Sequence, residues 1–312
     1  MLLGSLCALV SAVLYTGANI CLRGVVHCDS FWVSCIKASP TAALAGLPLV
    51  WRIARGEQRW PTSRQVIGLI VTGLVGQIIG NVAFQHALGV VGIALSVPLC
   101  FGTLIVGGAV LGRVFLGEPI TPQALVAMIV LAGAIAVLSS GAGPAEAAEL
   151  PHEPSPGHGW HLIGAVTAAC ASGLAYALLG VVLRQAVRET GLMLTLFIVS
   201  VTGIVSLGLC TLARIGIEGI VATSQADWSL MIGAGLFNAV AFAILCQALQ
   251  FAPVTHVNAF NSSQTAMAAV AGIWLFHEPI TLSLGVGTAM TIGGLLLLER
   301  GRQVANGDKV KA

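Results

Sequence analysis

Long apolar runs broken by short polar punctuation make up most of this chain, and that pattern predicts helices that cross a lipid bilayer. A span needs about 20 apolar residues to cover roughly 30 Å of hydrocarbon. Runs of that kind fall near residues 2–22, 31–51, 66–88, 92–112, 122–140, 161–183, 192–212, 228–249, 254–276 and 281–298. Two longer stretches have to be divided. Residues 66–112 form a nearly uncharged run of 47 residues. As one helix they would reach about 70 Å at 1.5 Å per residue, over twice the hydrocarbon thickness. A hairpin is required, and Gly89 and Gly92 offer its break. Residues 228–276 pose the same problem, with Pro253 at the break.

The polar positions inside these runs are patterned too. Residues three or four apart share one face of a helix. Ser11, Tyr15 and Asn19 fall at i, i+4 and i+8 in the first span, and Gln77, Asn81 and Gln85 do the same in the third. The sixth span carries Ser172 and Tyr176; the ninth carries Asn258, Asn261, Ser262 and Thr265. The second holds Ser34, Lys37 and Thr41, whereas the fifth and tenth have almost no polar stripe. Polar side chains in lipid are costly and usually face a bundle interior or a wet cavity. Spans 1–4 and 6–9 are therefore expected to surround a polar cavity, with 5 and 10 as peripheral supports. Interhelical hydrogen bonding that only holds the bundle together is the competing explanation. Such bonds average about 0.6 kcal/mol, a modest reason to keep so many amides.

The chain also repeats itself. A shift of 161 residues lays Ser11 on Ser172, Tyr15 on Tyr176, Leu22-Arg23 on Leu183-Arg184, Gln77 on Asn238 and Ala87-Leu88 on Ala248-Leu249. A shift of 160 lays Glu118-Pro119-Ile120-Thr121 on Glu278-Pro279-Ile280-Thr281. A near-constant offset across five spans indicates duplication of a five-helix unit. Five is odd, so the second copy enters the membrane from the opposite side. The fold class expected is an all-α integral membrane protein of ten transmembrane helices, built as two inverted five-helix repeats. The first repeat covers 1–140, a linker 141–160, the second repeat 161–300 and a tail 301–312.

Charge sets the expected orientation. With the N-terminus cytoplasmic, eleven Lys and Arg residues lie inside and two, Arg23 and Arg214, lie outside. Such a bias is the positive-inside signature. Both termini and the tail are then cytoplasmic, and the linker, rich in Pro and Gly with no Lys or Arg, is extracytoplasmic. The first run has no Lys or Arg before it and no small-residue cleavage site after it, so it reads as a retained span rather than a signal peptide.

Two five-helix halves, each with a Gly/His-Glu-Pro-Ile-Thr turn before its last helix (Gly117 to Thr121, His277 to Thr281), resemble the EamA-like branch of the drug/metabolite transporter superfamily. Lys37, a basic residue in the second span, and the Ala-Leu pairs at 87–88 and 248–249 strengthen the likeness. The resemblance covers the chain apart from linker and tail. It implies a secondary transporter, by family habit an exporter, in the plasma (inner) membrane. It leaves the substrate open. Two positions depart from the symmetry: Ile198 stands where a partner of Lys37 would fall, and Asn258 stands opposite Pro98. The site is therefore expected to be asymmetric.

Candidate substrate-binding residues are Lys37, Tyr15, Gln77, Asn81, Tyr176, Asn238, Asn258, Asn261 and Ser262. Lys37 lies about 7–8 Å beyond the interface residue Trp32 at 1.5 Å per residue. Its ammonium either snorkels back toward Asp29 or faces the cavity and attracts an anionic group such as a carboxylate. The absence of any deep Asp or Glu favours a carboxylate-bearing or neutral metabolite over a cation. Glu118 and Glu278 read as turn residues at span ends. His86 and His256 are titratable near neutral pH, yet a single intramembrane His is more often just hydrogen bonded.

Composition narrows the classes further. Only 8% of residues are charged and 57% are hydrophobic, against about 25% charged in soluble domains. Lipid is the expected partner together with a small-molecule substrate; a homodimer is compatible with the reading, and nucleic acid is not expected. Eight scattered cysteines without a CxxC pair read as packing residues. No GxxxxGK loop, HExxH, GxSxG or intramembrane carboxylate pair occurs, so an ATPase or a membrane-embedded enzyme is disfavoured. No cofactor or metal is expected. A passive channel or a sensor remains the alternative.

Overall fold

The structure, a computed structural model, describes residues 2–58, 60–116, 122–140, 158–251 and 263–311. Among these residues there are ten helices and no strand. They are α1 (Leu2–Gly24), α2 (Ser30–Ala54), α3 (Ser63–Val91), α4 (Ile93–Leu116), α5 (Pro122–Ser140), α6 (His158–Thr190), α7 (Leu192–Val221), α8 (Gln225–Phe251), α9 (Ser263–Phe276) and α10 (Leu282–Lys311). Helices keep every backbone N–H and C=O bonded within the segment, which is what hydrocarbon demands. Seven of them, α1 to α4 and α6 to α8, are long and apolar enough to cross a membrane. The others carry shorter apolar stretches, Leu125–Leu138, Ser263–Phe276 and Leu282–Gly294. Helix α10 runs on to Lys311, through the segment set apart as a tail. Residues 141–157 of the expected linker, Pro253 and His256 lie outside the described residues.

Local chemistry explains the breaks. Asp29 starts α2 by accepting from the N–H groups of Phe31 at 3.0 Å and Trp32 at 3.1 Å. Thr62 and Gln65 form a capping box at the head of α3, satisfying two N–H groups that the helix leaves open. The long apolar run divides at Gly92, where φ is +77°, a conformation that a Cβ would strain. Thr281, at the end of the second Glu-Pro-Ile-Thr turn, caps α10 by accepting from Leu284 N–H at 3.1 Å. Helix α7 kinks at Gly216, with φ +64°.

Packing joins the two halves of the chain. Helix α1 lies along α8, α3 along α6, α2 along α7 and α5 along α10, while α4 packs against α6. Absent side chains permit the close approaches. A Cβ on Gly107 of α4 would stand 2.7 Å from Leu174, and one on Gly235 of α8 would stand 2.5 Å from the Lys37 carbonyl. Large apolar residues such as Leu47, Val114 and Leu209 stay exposed on the outside of the bundle, where lipid would cover them.

The helix ends sort into two groups. At one end Trp32 donates to Thr223 at 3.1 Å and packs edge-on against Trp228, and Arg214 meets Asp29 at 3.0 Å. This end, which also carries Arg23, Gly92 and Glu278, is here called the Arg23 end. At the opposite end Gln65 of α3 bonds Glu189 of α6.

Candidate functional site

Lys37 sits about two turns into α2. Its Nζ donates to Asn81 Oδ1 at 2.7 Å. The Tyr176 hydroxyl donates to the same oxygen at 2.6 Å. Since an ammonium has only hydrogens to offer, this contact fixes Asn81 with its oxygen toward Lys37 and its NH2 away. That NH2 donates to Gln77 Oε1 at 2.5 Å, which in turn leaves the Gln77 NH2 pointing onward. Four candidate residues thus form one connected cluster. Lys37, Gln77 and Asn81 come from the first half of the chain and Tyr176 from the second.

Backbone geometry puts them there. Gly76–Val82 of α3 is wound as a π-helix, a form that is rare and concentrates at functional sites. Positions i and i+4 share a helix face, so Gln77 and Asn81 share one direction, and the Asn81 amide reaches Gln77. Gln85 does not follow. It turns away, donating to the Leu22 carbonyl at 2.9 Å, and is 2% exposed. The expected stripe of three amides is therefore a pair plus one residue serving the α1 end. Glycines fit around the cluster: a Cβ on Gly80 would lie 2.8 Å from the Tyr176 ring, and one on Gly203 of α7 would lie 2.6 Å from the Gln77 side chain.

What this arrangement can do follows from its donors. Lys37 uses one of three N–H bonds on Asn81, and among the described residues no carboxylate pairs with it. The snorkelling alternative is not realised, since Asp29 is occupied by the α2 N-terminus and by Arg214. This half-buried ammonium keeps N–H donors beyond the one that Asn81 takes.

The remaining candidates are placed as follows. Tyr15 is half-buried on α1, and Asn238 is half-buried on α8, one turn beyond Gly235 and its close approach to Lys37. Asn258, Asn261 and Ser262 lie outside the described residues, as does Glu118. Ser11 bonds the Ala241 carbonyl at 2.9 Å, a tie between α1 and α8. His86 is exposed. A separate apolar cleft of about 420 Å³ between α1 and α9 is lined by Ile20, Met267 and Trp274 among others. It offers nothing to hold a polar solute.

A buried ion pair went unrecognised in the sequence. Arg23 Nε lies 3.2 Å from Glu278 Oε1, with side-chain exposures of 8% and 4%. The same carboxylate accepts from Ile93 N–H at 2.8 Å and Ala94 N–H at 2.9 Å. It therefore caps α4, where the helix dipole favours negative charge. Arg23 also stacks 5.5 Å from the Phe276 ring centre. The repeat marked both residues, but not that they meet.

No curated protein matches the chain. Solved structures share the fold, among them a crystal structure with a TM-score of 0.57 at 15% identity over 96% of this chain and 98% of that chain. Residues 163–300 match the model of the EamA-like transporter family. The chain is a multi-pass membrane protein whose residues 163–300 are similar to the EamA-like transporter family, which belongs to the drug/metabolite transporter superfamily.

Proposed function

We propose that the protein is a secondary transporter that moves a small carboxylate-bearing or neutral metabolite by alternating access between two inverted five-helix repeats. The observation that carries this reading is the cluster of Lys37, Asn81, Gln77 and Tyr176, which joins the halves around an ammonium that no carboxylate pairs with among the described residues. Substrate sites of inverted-repeat transporters lie between the halves near the midplane. The packing supports such a repeat. Exchanging the halves turns α1 against α8 into α6 against α3, and returns α2 with α7 and α5 with α10 to themselves. Ten passes follow if α5, α9 and α10 also cross.

The plasma membrane, cytoplasmic termini and the export direction belong to the same proposal; they rest on the charge bias and on the family. Asn258, Asn261 and Ser262 would complete the cavity from α9's side, with Tyr15 and Asn238 facing it from α1 and α8. The test is counterflow. Liposomes loaded with unlabelled metabolites from a panel should take up the labelled solute transiently against its gradient. Uptake that only equilibrates, and never saturates, would make the protein a channel. Reporter fusions at Gly157 and at the C-terminus should report opposite sides; the same side at both would remove the inverted repeat.

A further inference from the structure

Three metal-ligating side chains meet at the Arg23 end, away from the Lys37 cluster. The turn after α1 is held by Val25 N–H to Leu22 O at 3.3 Å and Cys28 N–H to Val25 O at 3.0 Å. It brings His27 and Cys28 against the first turn of α8. His27 Nε2 stands 3.1 Å from Asp227 Oδ1, and the ligand atoms of His27, Cys28 and Asp227 all lie within 4.8 Å of one another. Asp227 is itself oriented, since its Oδ2 accepts from Ser224 Oγ at 2.7 Å.

We propose that His27, Cys28 and Asp227 form a binding site for a borderline divalent cation of the Zn²⁺ type, placed to fasten the two halves of the chain together. Ligand type selects the ion. One thiolate, one imidazole and one carboxylate suit Zn²⁺ and exclude Ca²⁺ and Mg²⁺, which take oxygen. Bonds of about 2.0–2.3 Å at tetrahedral angles put ligand atoms roughly 3.3–3.8 Å apart. Closing from the present spread needs movements of about 1 Å, and His27, with its side chain 63% exposed, is free to make them. Water takes the fourth position. Cys28 binds as thiolate and its proton passes to solvent. Ser224 holds the carboxylate in the manner of an outer-shell ligand.

The ion would link the α1–α2 turn to α8. That strut would hinder any motion separating the halves at this end, so the ion is an inhibitor; this consequence rests on the alternating-access reading, whereas binding does not. The experiment is a Cd²⁺ titration of the purified full-length protein in detergent, following the ultraviolet thiolate-to-metal charge-transfer band, with Zn²⁺ competition. A saturable band that is lost in Cys28→Ser, and whose affinity falls about 10-fold or more in Asp227→Asn and His27→Gln, supports the site. Both variants retain the thiol, so they remain informative if Cys28→Ser folds poorly. A band unchanged by all three substitutions overturns it. Zn²⁺ added to transporting liposomes then separates the two levels. Inhibition of the wild type that Asp227→Asn relieves supports the strut. Binding without inhibition, in liposomes that transport, overturns the strut and leaves the site standing.

Discussion

Two cations inside the same bundle, the buried Arg23 and the half-buried Lys37, are treated in opposite ways. Arg23 meets a carboxylate that also accepts two backbone N–H groups, and an aromatic ring closes over it. Its charge is neutralised inside the protein. Lys37 meets one neutral amide oxygen, shared with a tyrosine hydroxyl. Moving a charge out of water costs several kcal/mol unless it is paired. The first site has settled that cost and holds α1, α4 and the α9–α10 turn together. The second, half-buried, has no carboxylate to offset it among the described residues, and a substrate anion would do so. A paired charge is architecture; an unpaired one inside a membrane protein points to a ligand.

Breaking that contrast starts at the paired site. Glu278→Gln leaves Arg23 buried without a counter-charge and weakens the α4 cap. A loss of about 3–5 kcal/mol is expected, read as a fall in thermal or denaturant stability in detergent. Stability equal to wild type would show that the Arg23 pair is not the fastening described. A smaller effect should follow crowding of the Lys37 cluster. Gly203→Ala places a methyl group against Gln77, and overpacking of this kind costs about 1–3 kcal/mol. Here the transport KM should rise more than stability falls, because the displaced side chain belongs to the cluster. An unchanged KM would take Gln77 out of the site. Smaller still is Tyr176→Phe, which removes one hydrogen bond to Asn81. The expected cost is about 0.5–1.5 kcal/mol, a few-fold change in apparent affinity. A complete loss of transport in a folded protein would give the hydroxyl a larger part than bridging the halves.

The sequence made the helices legible because lipid imposes long apolar runs and tolerates few breaks; Gly92 was recognisable as one for the same reason. Lys37 stood out as the one cation well inside a span, and Gln77 and Asn81 as an i, i+4 pair. Tyr176 was visible through its repeat partner, Tyr15. The π-helical turn was not legible, since no residue in Gly76–Val82 demands it; Gln85 was assigned to the amide stripe by its spacing, and its bond to the Leu22 carbonyl is a tertiary contact that spacing does not show. The Arg23–Glu278 pair was hidden for another reason. Its members are 255 residues apart, and only the tertiary fold brings a turn residue onto the head of α4. His27, Cys28 and Asp227 were similarly scattered, and Cys28 alone reads as a packing residue.

The most direct test of the charge at the centre of this comparison is a paired measurement on Lys37→Gln and Lys37→Arg. Both variants should fold: losing the hydrogen bond to Asn81 costs no more than about 1.5 kcal/mol, and Lys37→Gln also removes the desolvation cost of the unpaired charge, so its stability should equal or exceed that of wild type. In counterflow, Lys37→Arg should retain transport and Lys37→Gln should lose it. Normal transport by a folded Lys37→Gln protein would contradict the assignment of Lys37 as the group that receives the substrate's negative charge.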